Sequence, residues 1–349
     1  WAEVVLADAT NGVVYACDKC LDNPDFADKG GGGDVYSYAF SRDGTAVKLD
    51  SSLSYGANPS ALVLSADGNF LGTAIAGGGG TATVLKTNEK GLLEVGFCYS
   101  ERSFVLRQIE HDGSVGAVSD RYLLNPDGVP SAPCDVKRAP SGEFFLLCDR
   151  DASTLYSFKL RPESGELYLG ADPFVEPDGS RASRCVFHPT GPWAYASSAD
   201  LPQLLALSYE ENGALTQTQN VAPIERPEMY DARSDDYRYT QDFLCASADG
   251  RFVYCGARLS KGINSEYELV AVFSVDAQSG LLTPLQYYFL ENAQGACAAA
   301  LSPDGRWLVV ACRYSCELLT LRVADDGRLE LHDRYSVATP SSICWYKHE

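Results

Sequence analysis

The chain has 349 residues, with 28 Lys and Arg against 47 Asp and Glu, a formal net charge of −19. That balance excludes nucleic acid and anionic membrane surfaces as expected partners, because phosphates are repelled. No apolar run approaches the roughly 18 residues of a spanning helix, so no membrane insertion is expected.

Six units of one grammar follow each other along the chain. Each has an apolar strand, a turn with Gly, a second apolar strand, a polar loop, an alternating third strand, a second Gly turn and a fourth strand. The first, 2–56, turns at Gly12 and Gly44 and carries Cys17-x-x-Cys20 and the run Gly30–Gly33. The second, 57–130, turns at Gly68 and Gly91, and an extra hairpin is predicted around Val95–Val115 with its own turn at Asp112-Gly113. The third, 131–180, turns at Gly142 and Gly165. The fourth, 181–240, turns at Gly191 and Gly213 and ends in a polar stretch, Glu225–Gln241. The fifth, 241–294, turns at Gly250 and Gly280, and the sixth, 295–340, at Gly305 and Gly327. The sixth is the clearest copy, with Ser302-Pro-Asp-Gly-Arg306 between apolar runs. A leftover strand is predicted over 341–346.

No segment has a sustained helical period. Four strands per unit of about 50 residues is the pattern of an all-β propeller within a single domain. The glycine runs Gly30–Gly33 and Gly77–Gly80 read as permissive turns, since neither opens a helix or precedes a Lys-Ser/Thr pair.

Twelve cysteines require a compartment. A chain this long needs no disulfide staples, and Cys17, Cys148, Cys255 and Cys312 recur inside apolar strands as small buried residues. No Asn-x-Ser/Thr acceptor occurs, because Pro59 follows Asn58. A reducing intracellular location is expected, cytoplasmic or organellar. Cys17–Cys20 lies between a strand and a loop, not at the helix start that a redox pair uses. Cys312-x3-Cys316 is the only near partner for a zinc half-site.

The Ser-Pro-Asp-Gly-Arg turns, the Gly-x-Leu second turns, Asn58-Pro59-Ser60, Val186-Phe-His-Pro189 and Thr339-Pro-Ser-Ser-Ile-Cys344 stand in an order that resembles the lactonase family of seven-bladed β-propellers. The resemblance implies a hydrolase of sugar lactones such as 6-phosphogluconolactone, or a cyclase of carboxymuconates, acting at one mouth of the central channel without a cofactor. It further implies that the closing strand belongs to a seventh blade whose other strands come from the N-terminus. Residue 1 is Trp and the only methionine is Met229, so those strands are expected ahead of Trp1, unless another segment or a six-bladed closure replaces them.

Lactone opening needs a base for water, donors for the oxyanion, and Arg or Lys for an anionic substrate. Family positions around the mouth map residue by residue onto this chain. Cys134 stands where the family often has His. Arg184, beside Arg181, stands one place off a family Arg, and Asp200 replaces a family Glu. Arg258 matches an Arg and Asp242 an acidic residue, while Ala296-Cys297 replaces a Pro-Arg. Two classes therefore remain open. One is a lactonase for a small anionic lactone or carboxylic acid, using Arg258, Arg184, Asp200, Asp242 and Cys134. The other is a propeller without chemistry that binds further protein subunits in a larger assembly.

Other constellations point elsewhere than catalysis. His111, His188, His332 and His348 lack metal-ligand spacing, and His188 reads as structural. No Gly-x-Ser-x-Gly elbow occurs. The Asp22, Asp25, Asp28 and Asp231, Asp235, Asp236 loops lack a calcium-loop pattern and read as solvated. Trp1, Trp193, Trp307 and Trp345 are expected on strands, filling space between blades.

Overall fold

The computed structural model describes residues 3–18, 33–41, 43–78, 83–87, 93–98, 101–124, 128, 130–224, 237–261 and 264–346. Cys20, Gly91, Asp22, Asp25, Asp28, the 225–236 stretch, Trp1, His348, Gly30–Gly32 and Gly79–Gly80 lie outside these residues. Each unit forms one antiparallel sheet in simple up-and-down order. The inner strands are Val4–Asp8, Pro59–Leu64, Pro133–Arg138, Ala182–Phe187, Leu244–Ala246 and Ala296–Leu301. The second strands are Val13–Cys17, Phe70–Ile75, Phe145–Asp149, Trp193–Ser198, Phe252–Lys261 and Trp307–Cys312. In blade five Tyr237–Thr240 also pairs with the far end of Phe252–Lys261. The alternating strands bury residues on both faces, and successive blades share apolar clusters, such as Tyr195, Leu204, Val253, Cys255 and Phe273 between blades four and five.

Blade two differs from its sequence reading. Its third strand is Ser103–Ile109, paired to Phe70–Ile75, and its fourth is Val115–Leu123, paired to Ser103–Ile109. The inserted hairpin is Thr83–Thr87 with Leu93–Cys98. The second turn of the blade is therefore Asp112-Gly113, not Gly91. The reason is burial: Phe104, Val105 and Leu106 are fully buried and extend the blade core. Gly91 merely fell at the repeat spacing.

Tyrosines bolt successive blades together. The hydroxyls of Tyr15, Tyr195 and Tyr254, all fully buried, donate to the carbonyls of Gly113, Gly280 and Gly327 in the second turn of the next blade. These turn glycines hold φ of +84°, +70° and +85°. A Cβ on Gly327 would lie 2.4 Å from the Phe252 ring and one on Gly280 2.3 Å from Trp193. Tyr254→Phe is expected to lower stability by about 1 kcal/mol, because the Gly327 carbonyl loses its buried donor. Comparing urea midpoints with those of the exposed control Tyr335→Phe checks this.

Residues 341–346 form no regular strand, so the expected closing strand appears only as an extended segment. It crosses between blades six and one. Trp345 Nε1 donates to Ala300 O at 3.3 Å, and the Tyr346 ring lies 5.4 Å from Phe40. Trp307, Val309 and Leu318 of blade six are half-buried. The tryptophan expectation holds for Trp193, which packs edge-on to His188, but Trp345 is off the strands and 41% exposed. His188 is a packing residue: Nε2 meets Gly250 O at 3.1 Å and Nδ1 accepts from Gly191 N at 2.7 Å. Ten described cysteines are free. Among the described residues, no helix is long and apolar enough to cross a membrane.

Candidate functional site

Seven chain segments ring the central channel, at 3–6, 60–62, 134–137, 184, 242–244, 297–299 and 341–343, and Arg313 of blade six adds to the lining. They enclose a cavity of about 350 Å³. The six blades and the C-terminal segment thus occupy seven positions around one axis.

A rule of construction governs the rim. Ser60, Cys134, Ser183, Asp242 and Cys297 each precede the first-turn glycine of their blade by eight residues. Four of them donate to the carbonyl at the head of the next inner segment. Ser60 Oγ reaches Pro133 O at 2.5 Å, Cys134 Sγ reaches Ala182 O at 3.7 Å, Ser183 Oγ reaches Gln241 O at 3.3 Å, and Cys297 Sγ reaches Pro340 O at 3.3 Å. A carboxylate cannot donate, and Asp242 breaks the rule. Its Oδ2 pairs with Arg258 Nη2 at 3.1 Å and accepts from Thr240 Oγ1 at 3.1 Å. Its Oδ1 has no partner among the described residues, and the residue lines the cavity.

Arg258 is held by its Nε donating to Thr240 Oγ1 at 3.1 Å, with the guanidinium 5.7 Å from the Tyr314 ring centre. It reaches the cavity wall through Asp242. Arg184 lines the cavity itself. Its Nε donates to Asp242 O at 2.9 Å and its Nη1 to Ser183 O at 2.7 Å, which leaves Nη2 without a partner among the described residues.

The remaining sequence candidates fall differently. Cys134 lines the cavity, but burial pushes its thiol up to about 12, so it is a protonated stitch between blades and not a ready thiolate. Asp200 is outside the cavity lining. It pairs with Arg181 Nη1 at 2.5 Å, and Arg181 in turn pairs with Asp151 at 2.7 Å, beside Arg150 at 3.0 Å. Arg181 sits at the left-handed φ of +53°, which aims it along the rim into this chain of ions.

Sequence reasoning missed Asp135 and Lys137, which also line the channel. Asp135 Oδ1 accepts from Lys137 Nζ at 2.9 Å and Oδ2 from Cys185 N at 3.0 Å. Burial opposes the charge of Asp135, yet Lys137, Arg184 and the Cys185 amide outweigh it and hold the carboxyl below its usual range. The available signal was positional: blade two has Ala61 and Val63 at these places, and blade six Ala298 and Ala300.

The model of the lactonase family, described as a 7-bladed β-propeller, matches residues 4–345. The chain belongs to the lactonase family of seven-bladed β-propellers. A curated relative of this lactonase-like propeller is the 6-phosphogluconolactonase of Formosa agariphila, 22% identical over 255 residues, covering 70% of this chain and 67% of the relative. Among solved structures, the periplasmic gluconolactonase of Pseudomonas aeruginosa superimposes with a TM-score of 0.75 at 21% identity, over 97% of this chain and 86% of that one. A Bacteroides fragilis protein, provisionally described as a 6-phosphogluconolactonase, gives 0.75 at 19% identity over 98% and 86%. At such identity the structures establish the fold of this lactonase-family chain, and the chemistry rests on its own residues.

Proposed function

We propose that this propeller hydrolyses a phosphorylated or carboxylated sugar lactone, such as 6-phosphogluconolactone, at the rim around Asp242. The observation that carries the reading is that Asp242 abandons the stitch made by its four counterparts and lines the cavity with carboxylate Oδ1 unpartnered among the described residues. Local breaks in a repeat's own rules concentrate at working sites. In the reaction, Asp242 Oδ1 accepts a proton from water as the water oxygen bonds to the lactone carbonyl carbon. The charge of Arg184, held beside Asp242 by its Nε on the Asp242 carbonyl, stabilises the resulting oxyanion. The ring C–O bond then breaks, and the proton held by Asp242 passes to the departing alkoxide, leaving the open hydroxy acid. Ring closure of a carboxymuconate is a different reaction, the addition of a carboxylate oxygen across a C=C bond with a proton delivered to the neighbouring carbon, and the hydrolytic steps above do not run in reverse to give it.

The test is direct: 6-phosphogluconolactone is mixed with the protein and acid release is followed against the spontaneous rate. Acceleration supports the hydrolase, and none at micromolar protein rejects it. The pairing of Arg258 with Asp242, Arg313 with Glu3 and Arg181 with Asp151 and Asp200 favours the second reading, a propeller that binds a partner without turnover. A reducing, cytoplasmic setting belongs to the proposal, supported by the free buried thiols. Thiol titration of protein isolated from its own cells tests it, and disulfides would count against it.

A further inference from the structure

We propose that the channel binds an anion beneath the rim, between Lys137 and Arg184, and that the charged end of the substrate sits there. The substrate half of this statement rests on the hydrolase reading, whereas the anion site stands on the channel itself. Lys137 lies three residues beyond Cys134 along the inner strand of blade three, about 10 Å deeper by strand rise. Its side chain is 45% exposed, and its one ion pair among the described residues is with Asp135 at 2.9 Å. Arg184 adds a second cation with Nη2 uncommitted. The two cations share one carboxylate, and that carboxylate has its other oxygen on the Cys185 amide. The cavity lining also includes the apolar side chains of Leu62, Leu244, Ala299 and Ile343.

One net positive charge therefore lies inside a narrow channel of a protein whose formal charge is −19. Low-dielectric walls concentrate such a field. The chemistry fits a phosphate monoester or a carboxylate: Lys supplies a compact charge and Arg a planar donor edge. The rim cations Arg258 and Arg313 differ, because each faces a carboxylate of its own. With Asp242 at the rim and the anion below it, a lactone carried on a phosphorylated or carboxylated chain would enter charged end first.

Isothermal titration with inorganic phosphate at fixed ionic strength tests the site. The expected result is saturable one-to-one binding that weakens at least tenfold in Lys137→Met and largely returns in Lys137→Arg. Arg306→Gln, on an exposed turn, should bind as the parent does. Because Lys137→Met strips Asp135 of a partner, Asp135→Asn/Lys137→Met serves as a charge-balanced second variant, with circular dichroism verifying its fold, and it too should lose phosphate. No saturable binding by the parent, or equal affinity in folded Lys137→Met, overturns the site. Competition of phosphate by 6-phosphogluconate but not gluconate assigns the site to the phosphate end, and equal competition by gluconate to the carboxylate end. Phosphate binding through Lys137 without lactone hydrolysis would keep the site and remove the hydrolase. Unchanged hydrolysis in a Lys137→Met variant that has lost phosphate would keep the hydrolase and the anion site, and would overturn the placement of the substrate's charged end there.

Discussion

Arg107→Ala is expected to lower stability by about 4 kcal/mol, the largest loss for any single side chain between blades one and two. Arg107 is 2% exposed yet charged. Its guanidinium donates to Leu53 O at 2.9 Å and to Ser52 Oγ at 2.7 Å on the outer strand of blade one. It also donates to Val115 O at 3.1 Å and Gly116 O at 2.9 Å in blade two. Gly116 lies where the Val115–Leu123 strand shifts register, so its carbonyl has no regular ladder donor. Burial lowers the basicity of Arg107, and relief of that desolvation returns part of what alanine removes. Four acceptors losing a charged donor, together with the void, outweigh the relief. Arg107→Met separates the two losses. It fills the space and leaves the acceptors unpaired, so about half of the effect should persist. Urea midpoints with unchanged slopes supply the measurement. A loss below about 1 kcal/mol in Arg107→Ala would mean that burying the charge had cancelled its bonds.

The propeller was legible in the sequence because its signals are local and repeated. Gly-containing turns between apolar runs recur six times, and each copy specifies the same hairpins. The blade-two error shows where such reading stops. Gly91 matched the expected spacing, while the true turn at Gly113 is fixed by contacts across blades, Tyr15 to Gly113 O among them. Spacing carries no information about which of two hairpins packs on a neighbour. The candidate site was legible to the extent that it obeys the same frame. Asp242, Arg184 and Cys134 hold rim positions countable from the turns, and they do surround one cavity. The counts could not tell that Cys134 closes a stitch while Asp242 does not, since that depends on the chemistry of donors and acceptors in three dimensions. Asp200 was placed by the same counting, but Arg181 draws it into a separate chain of ions. Lys137 escaped notice because a lysine in a strand ordinarily reads as solvent-facing, and only ring closure turns that edge into a channel wall.

Asp242→Asn is expected to lower kcat/KM for lactone hydrolysis by about 10²–10⁴-fold, the usual scale for a general base, with KM little changed. Asparagine keeps the shape and can still meet Thr240, but it cannot take a proton from water. Arg258 acts through Asp242 and not on the substrate, because its Nη2 and Nε hold the carboxylate and Thr240. It is a positioning residue, and its variants should separate that role from a direct one. Arg258→Lys retains a cation beside Asp242 and should keep more activity than Arg258→Gln. The double variant Asp242→Asn/Arg258→Gln should be no slower than Asp242→Asn alone, since removing the support of an absent base costs nothing further. Independent losses that multiply in the double variant would instead give Arg258 its own contact with the transition state. Activity of Asp242→Asn within threefold of the parent would take away the base and, with it, the feature by which blade five departs from Ser60, Cys134, Ser183 and Cys297.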